Sequence, residues 1–296
     1  MYNLNEVLSS TAIAVDEIIS AIIGNCYDIA CPVLVESMRY SSLGAGKKVR
    51  AFLVINSAAM FGFTEKASVY AASAIEMVHS YSLIHDDLPC MDNSDIRRGK
   101  DSCHKRYGKA TALLAGNALL TLAFEVLSTE EVSKDPAIRM HLIKTLARSI
   151  GFCGMLSGQA MDILSADQNL TFQEILKLQE MKTGKLFMAS CEFGAILAKA
   201  PETLVQKVRE YAKFIGLAFQ IKDDLLDISG SRHSIGKEVN KDIELNKVTS
   251  VSYLGEDGAT KYLIELKEKA VESLNDFGNS ALPLIYLANF IASRES

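Results

Sequence analysis

A chain of 296 residues, 49% of them hydrophobic, is long enough to bury a large core, and its net charge of −5 argues against general nucleic-acid binding. No Pro/Gly/Ser-rich linker or low-complexity segment divides the chain, which predicts a single domain over residues 1–296. The N-terminal segment MYNLNEVLSS lacks a positively charged region and a small-residue cleavage site, so we expect no signal peptide and a cytoplasmic protein.

Apolar residues recur at helical spacing along most of the chain, most clearly in residues 67–87, 205–227 and 259–275. No Asn-Gly or Asp-Gly pair lies between alternating runs, so no β-hairpin is expected. These patterns predict an all-α protein with many helices of moderate length. The most apolar stretch, residues 111–124, is shorter than the ~20 residues that a membrane span requires, which favours a buried helix.

Two of these helices carry a polar stripe on an otherwise apolar surface. In residues 67–87 the stripe consists of Glu76, His79, Ser82 and Asp86. In residues 215–227 it consists of Gln220, Asp223, Asp224 and Asp227. Because a buried carboxylate is costly without a counter-charge, these aspartates are expected to meet something positive.

Residues 85–109 form a dense cluster in which aspartates precede arginines and lysines. An EF-hand does not fit, because the sixth position counted from Asp92 is Arg97 rather than glycine. Mg²⁺ typically takes one or two carboxylates together with substrate phosphates, and basic side chains bind the remaining phosphate oxygens. The two acidic clusters therefore predict a diphosphate site with Mg²⁺ rather than two solvated helix ends.

The segment from Ser229 to Thr249 is rich in glycine, serine and charge, which predicts a long loop. Its composition fits a functional lid and a plain connection equally well.

The ordered motifs resemble those of trans-prenyl diphosphate synthases from about residue 40 to the C-terminus. YSLIHDDLPCMDNSDIRRG (81–99) and FQIKDDLLD (219–227) resemble the first and second aspartate-rich motifs of that family, and GKKVR (46–50) resembles its GGKRxR segment. SGQAMD (157–162), MKTGKL (181–186) and IGKEVNKDIELNKVT (235–249) follow in the expected order. The chain departs from the pattern at Ala45, where a glycine is usual, and at Ser250, where a tyrosine is usual.

The resemblance implies the isoprenoid synthase fold, a helical bundle around a central cavity, and the head-to-tail condensation of isopentenyl diphosphate with dimethylallyl or geranyl diphosphate. It assigns Mg²⁺ to Asp86, Asp92 and Asp223, with Asp87 and Asp227 in support. It assigns the allylic diphosphate to Arg97, Lys182, Thr183, Gln220, Lys237 and Lys247. It assigns isopentenyl diphosphate to Lys47, Arg50, His79 and Arg98. It also implies a homodimer.

The product length is predicted from Tyr81 and Ser82, because an aromatic residue followed by serine before DDxxxxD resembles bacterial farnesyl diphosphate synthases. A C15 product is expected, and a geranylgeranyl diphosphate synthase is the alternative. Helix geometry alone leaves the role of Tyr81 open, since it is rotated by ~140° from Asp86.

Two related classes and one unrelated class fit the sequence less well. A terpene cyclase would lack the GKxxR segment for a second diphosphate. A non-catalytic partner subunit would be expected to lack one aspartate motif. A structural helical bundle would not explain the tandem Arg97-Arg98 beside the aspartates.

Overall fold

A computed structural model describes residues 2–25, 29–44, 46–165, 170–233 and 249–294. In chain order the helices are α1 (Leu4–Gly24), α2 (Pro32–Ser42), α3 (Val49–Met60), α4 (Ala67–Asp86), α5 (Cys103–Tyr107), α6 (Lys109–Ser128), α7 (Pro136–Ile150), α8 (Met155–Leu164), α9 (Phe172–Gln179), α10 (Lys185–Leu197), α11 (Glu202–His233), α12 (Ser250–Glu272) and α13 (Leu282–Ser293). A π-helical turn (Glu180–Gly184) joins α9 to α10, and a 3₁₀ segment (Asn275–Ala281) precedes α13. The all-α prediction is confirmed.

Two compact units make up the chain. The first consists of Met1–Ile143 with Ile196–Ala198, and the second consists of Lys144–Ala195 with Lys199–Ser296. The expectation of one domain over residues 1–296 stays a prediction.

Helix α4 is the central element of the first unit and packs against α1, α3 and α6. Its alanine-rich middle, with Ala71, Ala72 and Ala74 fully buried, allows close approach of these neighbours. The helix ends at Asp86 because Pro89 disfavours a helical conformation at the residue before it. The first two aspartates of the first motif therefore lie at a helix C-terminus, where the helix dipole disfavours negative charge and favours a cation.

A small β-hairpin was not expected from the sequence, and that expectation is wrong. Strand β1 (Ile96–Arg97) pairs antiparallel with β2 (Lys100–Asp101) through a turn at Arg98 and Gly99. Both turn residues have positive φ, 54° and 74°, as a two-residue hairpin turn of the primed type requires. Arginine seldom adopts this conformation, so only Gly99 carried the signal in the sequence.

Helix α11 is the longest element of the second unit and packs against α9, α12, α13 and the π-helical turn. It continues to His233, so the predicted loop at residues 229–249 begins later than expected. Helix α12 starts at Ser250 and ends at Glu272, whereas the periodicity predicted residues 259–275. A positive φ of 71° at Gly255 interrupts α12, which explains why the apolar period was clear only beyond this residue.

In the part of the chain that the structure describes, two helices, α1 and α6, are long and apolar enough to cross a membrane by length and composition alone. Helix α6 runs over 20 residues rather than the 14 of the apolar stretch, and 39% of its most apolar window is buried. The expectation of a buried helix here is only partly right. Both helices pack against α4 within the first unit, as amphipathic core helices do.

Candidate active site

The first aspartate motif folds back on the end of α4. The backbone N–H of Asp92 donates to the carbonyl of Asp86 at 2.8 Å, and the N–H of Ser94 donates to the carbonyl of Asp87 at 3.2 Å. This return of the chain brings Asp86 and Asp92 next to each other, and both are partly exposed. The arrangement suits a hard divalent cation bound from the solvent side.

Asp87 points inward, unlike Asp86. Its side chain is 3% exposed and accepts hydrogen bonds from Arg97, whose Nε lies 3.0 Å from Oδ1 and 3.2 Å from Oδ2. Burial raises the pKa of Asp87 above its usual value, although the hydrogen bond from Arg97 opposes that rise. The contact holds the guanidinium of Arg97 in a fixed orientation, as fork-shaped arginine–carboxylate pairs do. Asp87 thus supports the site through Arg97.

Arg50 and His79 meet within the first unit. The His79 Nε2 lies 3.4 Å from the Arg50 guanidinium. Burial lowers the pKa of His79 well below its usual value, and the positive charges of Arg50 and Arg98 lower it further. A neutral imidazole can accept a hydrogen bond from Arg50 and leaves that guanidinium positively charged for an anion.

The start of α3 is fixed by buried charge. Glu76 Oε1 accepts the backbone N–H of Ala51 at 3.0 Å, and Lys48 forms an ion pair with Asp16 at 2.9 Å. Lys48 is buried, whereas Lys47 is exposed. Of the two adjacent lysines, only Lys47 is therefore placed to meet a ligand from solvent.

A cavity of about 200 Å³ in the first unit adjoins the basic residues after the aspartates. Its lining includes Asp87, Arg97, Arg98 and Lys100. Gly46 also lines it, and a Cβ added there would lie 3.0 Å from the Arg98 guanidinium. With three cationic side chains against two carboxylates, those of Asp87 and Asp101, the lining carries a net positive charge that suits a phosphate-bearing ligand.

The second aspartate motif lies on α11 and divides its residues between two faces. Asp223 is partly exposed and Asp227 is exposed, four residues apart on one helix face, whereas Asp224 is 5% exposed. The Arg294 guanidinium forms an ion pair with Asp223 and lies 4.2 Å above the Phe219 ring. Asp223 thus attracts positive charge, and a metal ion bound there would have to share the carboxylate with Arg294 or displace it.

The π-helical turn carries Lys182 and Thr183 in the second unit. Lys182 Nζ lies 2.7 Å from Asp162 Oδ2 on α8, and the Thr183 hydroxyl donates to Gln220 Oε1 at 3.1 Å. The glycine at position 158 allows α8 to approach the π-helical turn this closely, because a Cβ there would lie only 2.2 Å from the Lys182 backbone nitrogen. Single-turn π-helices often occur at functional sites.

The aspartates fit Mg²⁺ by the chemistry of their oxygen donors. Within the described residues, no group of three or more His, Cys, Asp or Glu side chains could hold a metal ion by itself. Mg²⁺ typically uses one or two protein carboxylates and completes its shell with water and substrate phosphate.

Two of the residues assigned to the site cannot be placed, and sequence reasoning missed Arg294. Lys237 and Lys247, assigned to the allylic diphosphate, lie outside the described residues. Arg294 gave no signal because it lies 71 residues from Asp223 in the sequence. Asp162, which shares a helix face with Gln159, could be found from that spacing.

The comparisons with known proteins agree with the motifs. Residues 31–276 match the Polyprenyl synthetase family. The chain is 43% identical over 267 residues to a chloroplastic geranylgeranyl pyrophosphate synthase of Catharanthus roseus, covering 88% of this chain and 74% of that protein. It is 40% identical over 266 residues to a farnesyl diphosphate synthase of Haemophilus influenzae, covering 89% of each.

The fold is similar to that of an apo FPP/GFPP synthase structure from Zymomonas mobilis, with a TM-score of 0.86, 37% identity and coverage of 98% of this chain and 99% of that one. The chain therefore belongs to the polyprenyl synthetase family, a family of prenyltransferase enzymes. The resemblance inferred from the motifs is confirmed.

Proposed function

We propose that the protein is a Mg²⁺-dependent trans-prenyl diphosphate synthase that condenses isopentenyl diphosphate with dimethylallyl or geranyl diphosphate to give farnesyl diphosphate. The observation that carries this proposal is the pairing of each aspartate motif with arginine or lysine side chains. Asp86, Asp92 and Asp223 are the metal ligands with Asp227 in support, and Asp87 supports the site by holding Arg97. The cations next to them supply the phosphate contacts.

The residues of the site stabilise the negative charge that develops on the departing diphosphate. Bound Mg²⁺ would supply Lewis-acid stabilisation of the departing diphosphate. Arg97 and Lys182 donate hydrogen bonds to phosphate oxygens that become more negative as the allylic C–O bond breaks. Thr183, Gln220, Lys237 and Lys247 hold the same diphosphate in place, while Lys47, Arg50, His79 and Arg98 bind isopentenyl diphosphate. Its double bond attacks the allylic cation, and the proton then lost goes to the released diphosphate.

Farnesyl and geranylgeranyl diphosphate are the two candidate products, because the similar proteins include synthases of both. The experiment offers isopentenyl diphosphate with dimethylallyl, geranyl or farnesyl diphosphate in turn and identifies each product. We expect the first two to be extended to C15 and the third to be refused. Efficient extension of farnesyl diphosphate would instead support a geranylgeranyl diphosphate synthase.

Replacing Arg50 with alanine is expected to raise the KM for isopentenyl diphosphate by about 10- to 100-fold, because a charge-assisted hydrogen bond contributes ~1.5–3 kcal/mol. The KM for the allylic substrate should change much less. Steady-state kinetics with each substrate varied in turn measures both values. Arg148→Ala, at an exposed position on α7, is the control for loss of a cation. Equal changes for both substrates would contradict the assignment.

Replacing Tyr81 with alanine is expected to lengthen the product to C20 or beyond, because a bulky buried ring would no longer limit the growing chain. Tyr81 is 6% exposed, and its ring packs edge-on against His85 with ring centroids 4.9 Å apart. Tyr70→Ala on the same helix is the control for loss of an aromatic ring. Product analysis that still ends at C15 in Tyr81→Ala would reject this residue as the limit on chain length.

We also propose a homodimer, a cytoplasmic location and no membrane span, all on family resemblance. The exposed Leu113 and Leu114 on α6, 45% and 56% exposed, are compatible with a second copy covering this face. Light scattering at working concentration tests the dimer, and a monomeric mass would refute it.

A further inference from the structure

A chain of side-chain hydrogen bonds runs through the second unit, centred on Asp224. Both Asp224 oxygens accept amide hydrogens, Oδ1 from Gln220 at 2.9 Å and Oδ2 from Gln179 at 3.1 Å. Beyond Gln220, its Oε1 accepts the Thr183 hydroxyl at 3.1 Å. Beyond Gln179, its Oε1 accepts the Ser250 hydroxyl at 2.9 Å.

The direction of every bond in this chain follows from the carboxylate. An ionised carboxylate only accepts hydrogen bonds, so both glutamines must turn their NH₂ groups toward Asp224. Their carbonyl oxygens then face outward and can only accept, which fixes Ser250 and Thr183 as donors. The order of donors and acceptors is therefore consistent from one end to the other.

Three members of this network are buried. Gln179, Asp224 and Ser250 are 6%, 5% and 0% exposed, whereas Gln220 and Thr183 are half-buried. Polar groups at that depth are costly unless their hydrogen bonds are made, so this network holds its members in one arrangement. The buried end of the network is structural. Its half-buried end consists of Gln220 and Thr183, which are proposed to hold the allylic diphosphate.

Gln179 immediately precedes the π-helical turn that carries Lys182 and Thr183. Ser250 is the first residue of α12, immediately after the N-cap Thr249. The network thus connects the start of α12 to α9, α11 and the π-helical turn.

We propose that Ser250, Gln179 and Asp224 are positioning residues for the Gln220 amide, which donates one N–H to Asp224 and keeps the second N–H for the allylic diphosphate. Gln220 in turn holds the Thr183 side chain in place by accepting its hydroxyl hydrogen. Asp224 differs in this from Asp223 and Asp227, its neighbours in the second motif, because both of its oxygens are already bound to glutamine amides. The inference rests on the proposed function, since it assigns Thr183 and Gln220 to that substrate.

The test compares Ser250→Ala, Gln179→Met and Asp224→Asn with the matched control Ser190→Ala. Ser190 is also 0% exposed, but its hydroxyl donates to the Leu186 carbonyl of its own helix. The three test variants are expected to raise the KM for the allylic diphosphate about three- to tenfold, with the KM for isopentenyl diphosphate unchanged. Ser190→Ala should leave both values at the wild-type level.

Calorimetric titration with inorganic diphosphate in Mg²⁺ gives a second readout that needs no turnover. Weaker binding in the test variants and not in Ser190→Ala is expected. Equal changes in both KM values, or diphosphate binding as tight as in Ser190→Ala, would overturn the proposal. If instead the wild-type protein forms no prenyl product, the proposed function fails, and the diphosphate titration still decides whether these residues position an anion site.

Discussion

Replacing Asp86 or Asp223 with alanine is expected to lower kcat by about three orders of magnitude, the effect of losing several kcal/mol of transition-state stabilisation. Asp86 lies at the C-terminus of α4, and Asp223 is partly exposed on α11. Each carboxylate is proposed to place a cation that acts mainly as the allylic bond breaks, so substrate affinity should change less than turnover.

Two solvent-exposed aspartates provide matched controls for these variants. Asp95 forms a surface ion pair with Lys105 at 3.0 Å, and Asp276 lies 3.9 Å from Lys207. Alanine at either position removes a solvent-exposed charge and should leave kcat within about twofold of wild type, since surface ion pairs contribute little. Circular dichroism checks that all four variants stay folded. Near-normal turnover in a folded Asp86→Ala or Asp223→Ala protein would refute the role of that residue.

Replacing Gly158 with alanine is expected to lower both stability and turnover. The added Cβ would lie 2.2 Å from the Lys182 backbone nitrogen and 2.5 Å from its Cα, closer than atoms can approach. Helix α8 and the π-helical turn must then move apart, at a cost of about 1–3 kcal/mol in the free energy of unfolding. The same movement shifts Lys182 relative to Asp162 and to the phosphate it is proposed to bind.

Gly24→Ala is the control for this glycine substitution. Gly24 ends α1, and a Cβ there would meet no atom within 4 Å. We expect its midpoint of thermal unfolding and its kcat to stay at wild-type values. A Gly158→Ala protein as stable and active as Gly24→Ala would show that the contact between α8 and the π-helical turn is not needed for the site.

The helices that carry the motifs could be predicted because their signals are local. The apolar period of α4 and Pro89 just beyond it place Asp86 and Asp87 at a helix end. The spacing of Asp223 and Asp227 likewise puts them on one face of α11. Both inferences concern residues a few positions apart, whose relative positions follow from helix geometry.

The partners of these residues could not be predicted because they are distant in sequence. Arg294 and Asp223 are 71 residues apart, as are Gln179 and Ser250. Only the packing of α9, α11, α12 and α13 brings such pairs together. Likewise, the same-motif neighbours Asp86 and Asp87 differ in exposure, and the buried Asp87 pairs with Arg97 of the returning chain, which periodicity does not indicate.

The most direct test of the proposed activity is to incubate the purified protein with isopentenyl and geranyl diphosphates and quantify the products with Mg²⁺ and with excess chelator. We expect farnesyl diphosphate and one released diphosphate per condensation with Mg²⁺, no turnover with chelator, and recovery when Mg²⁺ is added back. Absence of any prenyl product with Mg²⁺, or full turnover in excess chelator, would contradict a metal-dependent prenyl transfer.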